Sequence, residues 1–464
     1  MTEEPLAREL KPALTIEIRI DSACCYIRAT GSGTPFISRN YKFDKNKLAK
    51  QRERAKKALG EFSEALRSGI ASGNPRVPVR QSMLALRELQ DFGFGLLLSL
   101  IGQKHREKVP QLVELAVKSI YGAGVKEPTP VLRWDAIDGR PPLIVFKTSV
   151  DDGIPIDVIP LLNLYDKPPL SDDFRDLGKY ACSFLGFCGI VKREISDSLG
   201  PCRYLENVPQ LPIKMFINRS LPGPRKEEKT LKENTRLHIE HGWPHGSEPS
   251  QANFAGELAK HLWEVKTRFG GPLRHHPDQI CHFSCHSRTD IDRTPEEYEI
   301  ALQGDQFLGG SRTATLEKLR NALAALSHKA RDDRAHRPLI FMNSCGSGDL
   351  DPSGASSFPD LFMNSDLGFT GFIGTETVMP NDIAAEFSIK FYERLIKGDA
   401  LGEAILLTRW DMLADYHNPL GLMYTLVAEP EIRVRSPVKE VSVPAPGIVA
   451  RILASLRGTF RLQN

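Results

Sequence analysis

The pattern of apolar positions changes along the chain, and the first part predicts short strands followed by helices. Leu14–Ile20 and Cys25–Ala29 alternate apolar and polar residues, which predicts a β-hairpin with one solvated face. Lys47–Ser68 has the periodicity of a charged amphipathic helix, and Ser82–Gln103 and Val109–Ile120 predict two more helices. This part contains no catalytic constellation, so we expect it to be a packing or regulatory layer.

Further along, short apolar runs alternate with segments of helical periodicity. Leu211–Asn218 is almost continuously apolar, which is typical of a strand buried on both faces. Other strands are predicted at Arg236–Glu240, Gln279–Ser284, Pro338–Asn343, Gly371–Gly374 and Met423–Ala428, and helices at Ala252–Arg268, Thr313–Lys329, Asp382–Ile396 and Ala400–Ala414. This alternation predicts an α/β fold, with helices on both faces of a mostly parallel sheet.

The same change of pattern suggests two domains. We assign residues 1–135 to an N-terminal hairpin and helical region, and residues 136–464 to a second domain whose catalytic part begins near residue 211. Two highly charged segments, Pro222–Asn234 and Lys329–Arg337, predict exposed loops within that domain. Self-cleavage of a zymogen would concentrate at such loops, although solvated connections are the simpler interpretation.

Composition narrows the possible function. The 464 residues are 41% hydrophobic and 26% charged, and the formal net charge is only +3, so no surface for nucleic acid or an anionic membrane is indicated. The acidic N-terminus lacks the apolar core of a secretory signal. Eight cysteines in a chain of this length do not suggest a disulfide framework. We therefore expect a cytoplasmic protein with reduced thiols.

Two of the apolar runs end at residues that can perform chemistry. Ile280–Asp290 (ICHFSCHSRTD) places His286 just past a predicted strand, and Pro338–Gly348 (PLIFMNSCGSG) places Cys345 on a glycine-rich turn. Active sites of parallel sheets lie beyond the carboxyl ends of the strands, so a thiol can meet an imidazole there. The imidazole can take the proton of the thiol and later return one to a leaving amine.

The same turns can provide an oxyanion hole. A tetrahedral intermediate needs hydrogen-bond donors already in place, and the backbone N–H groups of Cys345 and Ser287 are candidates. Gly346 and Gly348 allow a tight turn and leave room for a substrate chain. Taken singly, Cys345 and His286 also fit buried structural roles, and their spacing alone leaves both interpretations open.

Metal binding is a rival use of the motif around His286, because Cys281, His282, Cys285 and His286 fall within a few residues. On a strand, however, the two cysteines share one face and the two histidines the other. Four convergent zinc ligands are not expected in that geometry, so we predict no metal site there. His282 and the remaining cysteines are then structural.

The two motifs together resemble the caspase–hemoglobinase superfamily of cysteine proteases (clan CD). In that superfamily one strand ends in His-Gly and a later one in a small residue followed by the catalytic cysteine; Ser287 replaces the usual glycine here. Within it, the chain is most similar to the CHAT family of caspase-like domains. That similarity rests on Gly371–Leu413 (GFIGTETVMPNDIAAEFSIKFYERLIKGDALGEAILLTRWDML) and Ile154–Leu161 (IPIDVIPL), and it extends over about residues 140 to 430.

The resemblance implies a fold and a set of site residues. The fold is a caspase-like three-layer α/β/α sandwich, with Cys345 as nucleophile, His286 as general base, and the backbone N–H groups of Ser287 and Cys345 as oxyanion donors. Candidates for the substrate pocket around them are Arg219, Asn343, Ser344, Asp349 and Asp351. An arginine in the pocket favours an acidic P1 residue and an aspartate a basic one, and both specificities remain open.

The resemblance also implies an activity. We expect a cysteine endopeptidase that cleaves specific protein partners in a regulated prokaryotic pathway of defence or cell death, with neither a metal nor an organic cofactor. A gasdermin-like protein encoded nearby is one candidate substrate. Since no TPR repeats are visible, any sensing arm is missing or lies on another protein. We expect activation by a sensor or partner protein, and no direct nucleic-acid or membrane partner. Two other functions stay open: a catalytically idle caspase-like module for signalling or assembly, and a hydrolase or transferase of non-peptide acyl groups.

Overall fold

The structure is a computed structural model that describes residues 11–20, 24–41, 43–68, 75–122, 140–147, 154–160, 167, 169–194, 204–206, 210–244, 253–263, 279–288, 298–303, 312–327, 337–348, 357–364 and 366–435. The strands are β1 Pro12–Ile20, β2 Cys25–Thr30, β3 Phe36–Asn40, β4 Leu143–Lys147, β5 Ile190–Glu194, β6 Tyr204–Glu206, β7 Leu211–Ile217, β8 Leu237–Trp243, β9 Ile280–Ser284, β10 His286–Arg288, β11 Glu299–Gln303, β12 Arg312–Thr315, β13 Arg337–Asn343, β14 Phe369–Thr375, β15 Tyr424–Ala428 and β16 Arg433–Arg435. The helices are α1 Lys45–Ser68, α2 Val79–Ile101, α3 Val109–Tyr121, α4 Phe174–Ala181, α5 Leu185–Cys188, α6 Pro222–Glu233, α7 Phe254–Trp263, α8 Leu316–Ser327, α9 Phe358–Phe362, α10 Asn381–Ile396 and α11 Leu401–Tyr416.

A six-stranded sheet forms the centre of the C-terminal half. Its strand order is β15-β14-β13-β9-β7-β8, and neighbours run parallel except β14 and β15, which are antiparallel. The central strand β9 is buried at every position, as expected for a parallel strand covered on both faces. This order makes β9 and β13, the strands that precede His286 and Cys345, direct neighbours.

Helices cover both faces of this sheet. On β13, Leu339 and Phe341 belong to a core that includes Phe387 of α10. The alternate residues Ile340 and Met342 belong to a second core with α7, α8 and α9. Successive side chains of a strand point to opposite faces, so two separate cores mean two helical layers. The predicted fold class, a three-layer α/β/α sandwich with a mostly parallel sheet, is confirmed.

A second sheet of five strands lies in the N-terminal half, in the order β3-β2-β1-β4-β5. The predicted hairpin is its β1–β2 pair, in which Ile18 is opposite Ile27. β1 also pairs in parallel with β4, where Thr15 is opposite Val145. The sheet thus contains strands from both sides of residue 135, and the division into folding units at that position stays a prediction.

Buried ion pairs join the two sheets. Arg193 of β5 contacts Glu376, just past β14, at 2.6 Å, and Asp157 at 3.4 Å. Arg409 of α11 contacts the other oxygen of Asp157 at 2.8 Å. These four side chains are almost completely buried. Each charge therefore depends on its partners, because water does not solvate it.

The predicted exposed loop at Pro222–Asn234 was wrong. The segment is helix α6, and Glu227, Glu228 and Leu231 on its inner face are buried. The high charge of the segment suggested an exposed loop. In the structure, however, two of its acidic side chains point inward to polar partners. This removes the first candidate for self-cleavage at a loop, while most of the second, residues 329–336, lies outside the described residues.

Other boundaries moved by smaller amounts. The helix predicted from Thr313 begins at Leu316, because Thr313 belongs to β12. The predicted strand from Arg236 begins at Leu237 and continues to Trp243. Within the described ranges, none of the helices has the length and apolar character needed to cross a membrane.

Candidate active site

His286 and Cys345 leave the sheet at the same edge. β9 and β13 pair in parallel, and the last partners in their register are Ser284 and Asn343. His286 comes two residues after Ser284, and Cys345 comes two residues after Asn343. The hydroxyl of Ser287 donates a hydrogen bond to the carbonyl oxygen of Cys345, so the two segments are in direct contact. Parallel register therefore brings the predicted base and nucleophile to one place.

The turn that carries Cys345 is held by strand β14 and the loop after it. The N–H of Gly346 donates to the carbonyl of Thr377 at 3.0 Å, and that of Gly348 to Thr375 at 2.8 Å. Gly346 has φ +65°, in the left-handed region that favours glycine. A Cβ on Gly348 would lie 3.1 Å from the backbone nitrogen of Thr375. The glycines of this turn are thus required by its conformation and its close packing.

Burial dominates the environment of the Cys345 thiol and raises its pKa above the ordinary value. Backbone N–H groups of Met379 and of Cys345 itself, together with the charge of Arg67, lower the pKa in opposition. A thiol with a raised pKa keeps its proton at neutral pH, so attack on a substrate needs a base.

His286 opens the short strand β10 and is half-buried. β10 pairs antiparallel with β11, where His286 is opposite Ala301 and Ser287 opposite Ile300. The sequence indicated only a turn here, whereas the chain bends at Cys285 and continues as a strand of a three-stranded sheet. Whether the N–H of Ser287 serves an oxyanion stays a prediction, as does the catalytic role of His286.

A buried carboxylate beneath the site was missed by the sequence analysis. Glu227 of α6 accepts hydrogen bonds from Ser284 Oγ and, at 3.2 Å, from Asn343 Nδ2. Its Oε1 is also 2.9 Å from Nε2 of His282, whose Nδ1 lies 2.9 Å from the Tyr392 hydroxyl. The available signal was the four-residue spacing of Gly223, Glu227 and Leu231, which places them on one helix face. This signal was weak, because an acidic residue within a charged segment does not indicate a buried face.

Of the predicted pocket residues, Arg219 is partly exposed and two others lie outside the described residues. The Arg219 guanidinium donates to the carbonyl oxygens of Pro244 and Gly242, both at 2.8 Å, and lies 3.3 Å from Glu228. It therefore holds the end of β8, and 38% of its side chain stays exposed. Asp349 and Asp351 lie outside the described residues.

The other two pocket candidates are buried. The amide of Asn343 donates to Ala384 O at 2.9 Å and accepts from the Tyr424 hydroxyl at 2.6 Å. Those bonds, with the one to Glu227, engage both ends of the amide beneath the strand ends rather than in an open pocket. Ser344 is 3% exposed, and its carbonyl accepts from the hydroxyl of Thr375 at 2.6 Å.

The N-terminal half reaches the segment that flanks Cys345. Ser63 of α1 donates its hydroxyl to the carbonyl of Val378 at 2.5 Å. Val378 exposes 55% of its surface, an unusual exposure for a large apolar residue in this structure. It directly precedes Met379, whose N–H acts on the Cys345 thiol. Helix α1 is therefore connected to the candidate nucleophile through residues 378–379.

Comparisons with known proteins support a class. The model of Peptidase family C25 matches residues 306–435, a segment that includes Cys345 but not His286. Together with the relative described next, this match supports a peptidase, and a cysteine type agrees with the resemblance to clan CD. The narrower resemblance to the CHAT family stays a prediction.

One curated protein and one solved structure were also compared with the chain, and both have low sequence identity to it. A protein named probable protease from Vitiosangium sp. is 25% identical over 181 residues, which are 39% of this chain and only 22% of that protein. The chain thus spans less than a quarter of that relative. Among solved structures, the Saccharomyces cerevisiae separase–securin complex aligns with 91% of this chain and 30% of its own, at 9% identity and a TM-score of 0.39. That likeness is too remote to support an argument.

Proposed function

We propose that the protein is a cysteine endopeptidase with Cys345 as nucleophile and His286 as general base. The observation that carries the proposal is the register of β9 and β13, which puts the two residues equally far beyond the last paired positions, Ser284 and Asn343. The hydrogen bond from Ser287 to Cys345 adds contact between the two segments. The similarity to Peptidase family C25 over residues 306–435 supports the class of reaction.

The chemistry follows from the raised pKa of the thiol. His286 removes the proton of Cys345 as the sulfur attacks the carbonyl carbon of the scissile bond. The backbone N–H groups of Cys345 and Ser287 bind the resulting oxyanion. Collapse of this intermediate breaks the C–N bond, and the imidazolium of His286 protonates the departing amine. Water, deprotonated by His286, then hydrolyses the thioester and restores the thiol.

We further propose the biological setting that the resemblance to the CHAT family implies. The substrate is a specific protein partner, with a gasdermin-like protein encoded nearby as a candidate, and cleavage follows activation by a sensor in a prokaryotic defence or cell-death pathway. The site of action is the cytoplasm. The contact between Ser63 of α1 and Val378 supports regulation, because it connects the N-terminal half to the segment beside Cys345.

The test is co-expression of the chain with the products of its neighbouring genes. We expect one neighbour to be cut by the wild-type chain and to stay intact with Cys345→Ala or His286→Ala. Intact neighbours in every case, with each neighbour also supplied as a candidate activator, would contradict the proposed setting and favour a catalytically idle module.

A further inference from the structure

The side chain of Glu227 is an acidic group in the interior of the protein, completely buried between α6 and the sheet. Its neighbours provide two hydrogen-bond donors, the Ser284 hydroxyl and the Asn343 amide at 3.2 Å, and the His282 imidazole lies 2.9 Å away. A buried carboxylate is costly unless hydrogen bonds replace its lost water. These donors meet that need, so displacing any one of them is unfavourable.

The donors Ser284 and Asn343 lie on the strands that lead to the candidate active site. Ser284 and Asn343 are the last register partners of β9 and β13, and each comes two residues before His286 or Cys345. One carboxylate therefore binds both strands at the point where they leave the sheet. A shift of either strand end relative to the other would break a hydrogen bond to a buried acidic group.

Two tyrosine hydroxyls contact His282 and Asn343, the residues beside Glu227. The Tyr392 hydroxyl lies 2.9 Å from Nδ1 of His282, and the Tyr424 hydroxyl donates to Oδ1 of Asn343 at 2.6 Å. Burial raises the pKa of both tyrosines far above the ordinary value, so both keep their protons and remain donors. With its Oδ1 engaged by Tyr424, the Asn343 amide turns its Nδ2 toward Glu227.

We propose that Glu227 is a positioning residue, whose carboxylate sets the distance between the imidazole of His286 and the thiol of Cys345 by holding Ser284 and Asn343 together. This inference rests on the proposed function, because it presumes that His286 acts on Cys345. It goes beyond that function in assigning the spacing of the two residues to a group on a different element, helix α6.

The test is a double-mutant cycle that uses iodoacetamide as the probe, with alkylation of Cys345 followed by peptide mass spectrometry at neutral pH. In the wild-type background, His286→Ala lowers the alkylation rate about tenfold, because the base that removes the thiol proton is lost. In the Glu227→Gln background the same substitution lowers the rate less than about twofold, since the imidazole is already displaced. Loss of a negative charge near a thiol would by itself raise its alkylation rate. A slower alkylation of Cys345 in Glu227→Gln than in the wild type therefore reports a change in position.

Glu233→Gln is the matched control, because it removes the same charge from an exposed position on the same helix. The effect of His286→Ala stays about tenfold in that background. An equally large effect in the Glu227→Gln background overturns the inference while leaving the proposed function intact. If His286→Ala has no effect even in the wild-type background, the base is misassigned, and both the proposed mechanism and this inference fail.

Ser284→Ala keeps the inference testable if Glu227→Gln does not fold, as judged from its thermal unfolding. This smaller change removes one donor to the carboxylate and leaves the helix intact. We expect His286→Ala to lower the rate about threefold in that background, between the two extremes. A full tenfold effect there contradicts the positioning role.

Discussion

At the scale of single residues, opposing influences act on the Cys345 thiol. Burial raises its pKa, and backbone donors from Met379 and from the residue itself lower it. Sequence reasoning proposed Cys345 and His286 as the candidate pair because both follow apolar runs and precede small residues. It did not identify Glu227, because nothing in a charged segment shows which carboxylate turns inward. Nor does a sequence show that the Asn343 amide is engaged by Ala384 and Tyr424.

The His286→Ala variant predicts a specific pH dependence for Cys345. Without the imidazole, burial is the main influence on the thiol, so its pKa lies above that of an unstructured cysteine, about 8.5. The alkylation rate should fall as the pH decreases through this raised pKa and level off above it, because the thiolate is the reactive form.

The control for this prediction is the same variant in urea, where unfolding should return the midpoint to the ordinary range. A midpoint of the folded variant equal to that of the urea-unfolded chain would show that burial does not shift this thiol.

At the scale of elements, the six strands of the central sheet were predicted well, whereas β3, the small sheet of β10–β12 and the connections were not. Strand β13 begins only one residue before its predicted start at Pro338, since a continuous apolar run identifies a strand buried on both faces. Helix α6 was mistaken for a loop because its polar partners lie on distant strands. The contact of α1 with residues 378–379 was equally hidden, because Ser63 and Val378 are 315 positions apart.

Ser63→Ala tests that contact. Loss of the hydroxyl removes a hydrogen bond worth about 1 kcal/mol, because Val378 is exposed and water can take its place. We expect amide hydrogen exchange over residues 377–380 to accelerate about fivefold, measured by mass spectrometry, while exchange in β13 stays unchanged. Unchanged exchange in residues 377–380 would mean that α1 does not hold this segment.

At the scale of the whole molecule, the two sheets behave as one structure in this account, because buried charges connect them. Asp157 serves two arginines, one on β5 and one on α11. The sequence predicted two units and gave no reason to pair these residues, since Asp157 and Arg409 are 252 positions apart. Local patterns predict elements, whereas such long-range pairs appear only when the elements are packed.

Asp157→Asn should therefore destabilise the molecule strongly. Removing one partner of a buried charge network costs about 3–5 kcal/mol, because Arg193 and Arg409 lose a compensating charge. We expect a clear fall in the midpoint of thermal unfolding. Glu114→Gln is the control: it breaks an exposed pair with Lys118, whose contribution to stability is small because water screens it. Equal effects of the two substitutions would contradict the structural role assigned to Asp157.

The central claim is that Cys345 and His286 together cleave peptide bonds. The most direct measurement is mass spectrometry of new N-termini in a proteome-derived peptide library, after incubation with the purified protein and the products of its neighbouring genes as candidate activators. The account predicts new termini with the wild-type chain and with Cys24→Ala, which removes a different thiol, and none with Cys345→Ala or His286→Ala. Cleavage that persists in Cys345→Ala, or a wild-type chain that produces no new termini, would contradict it.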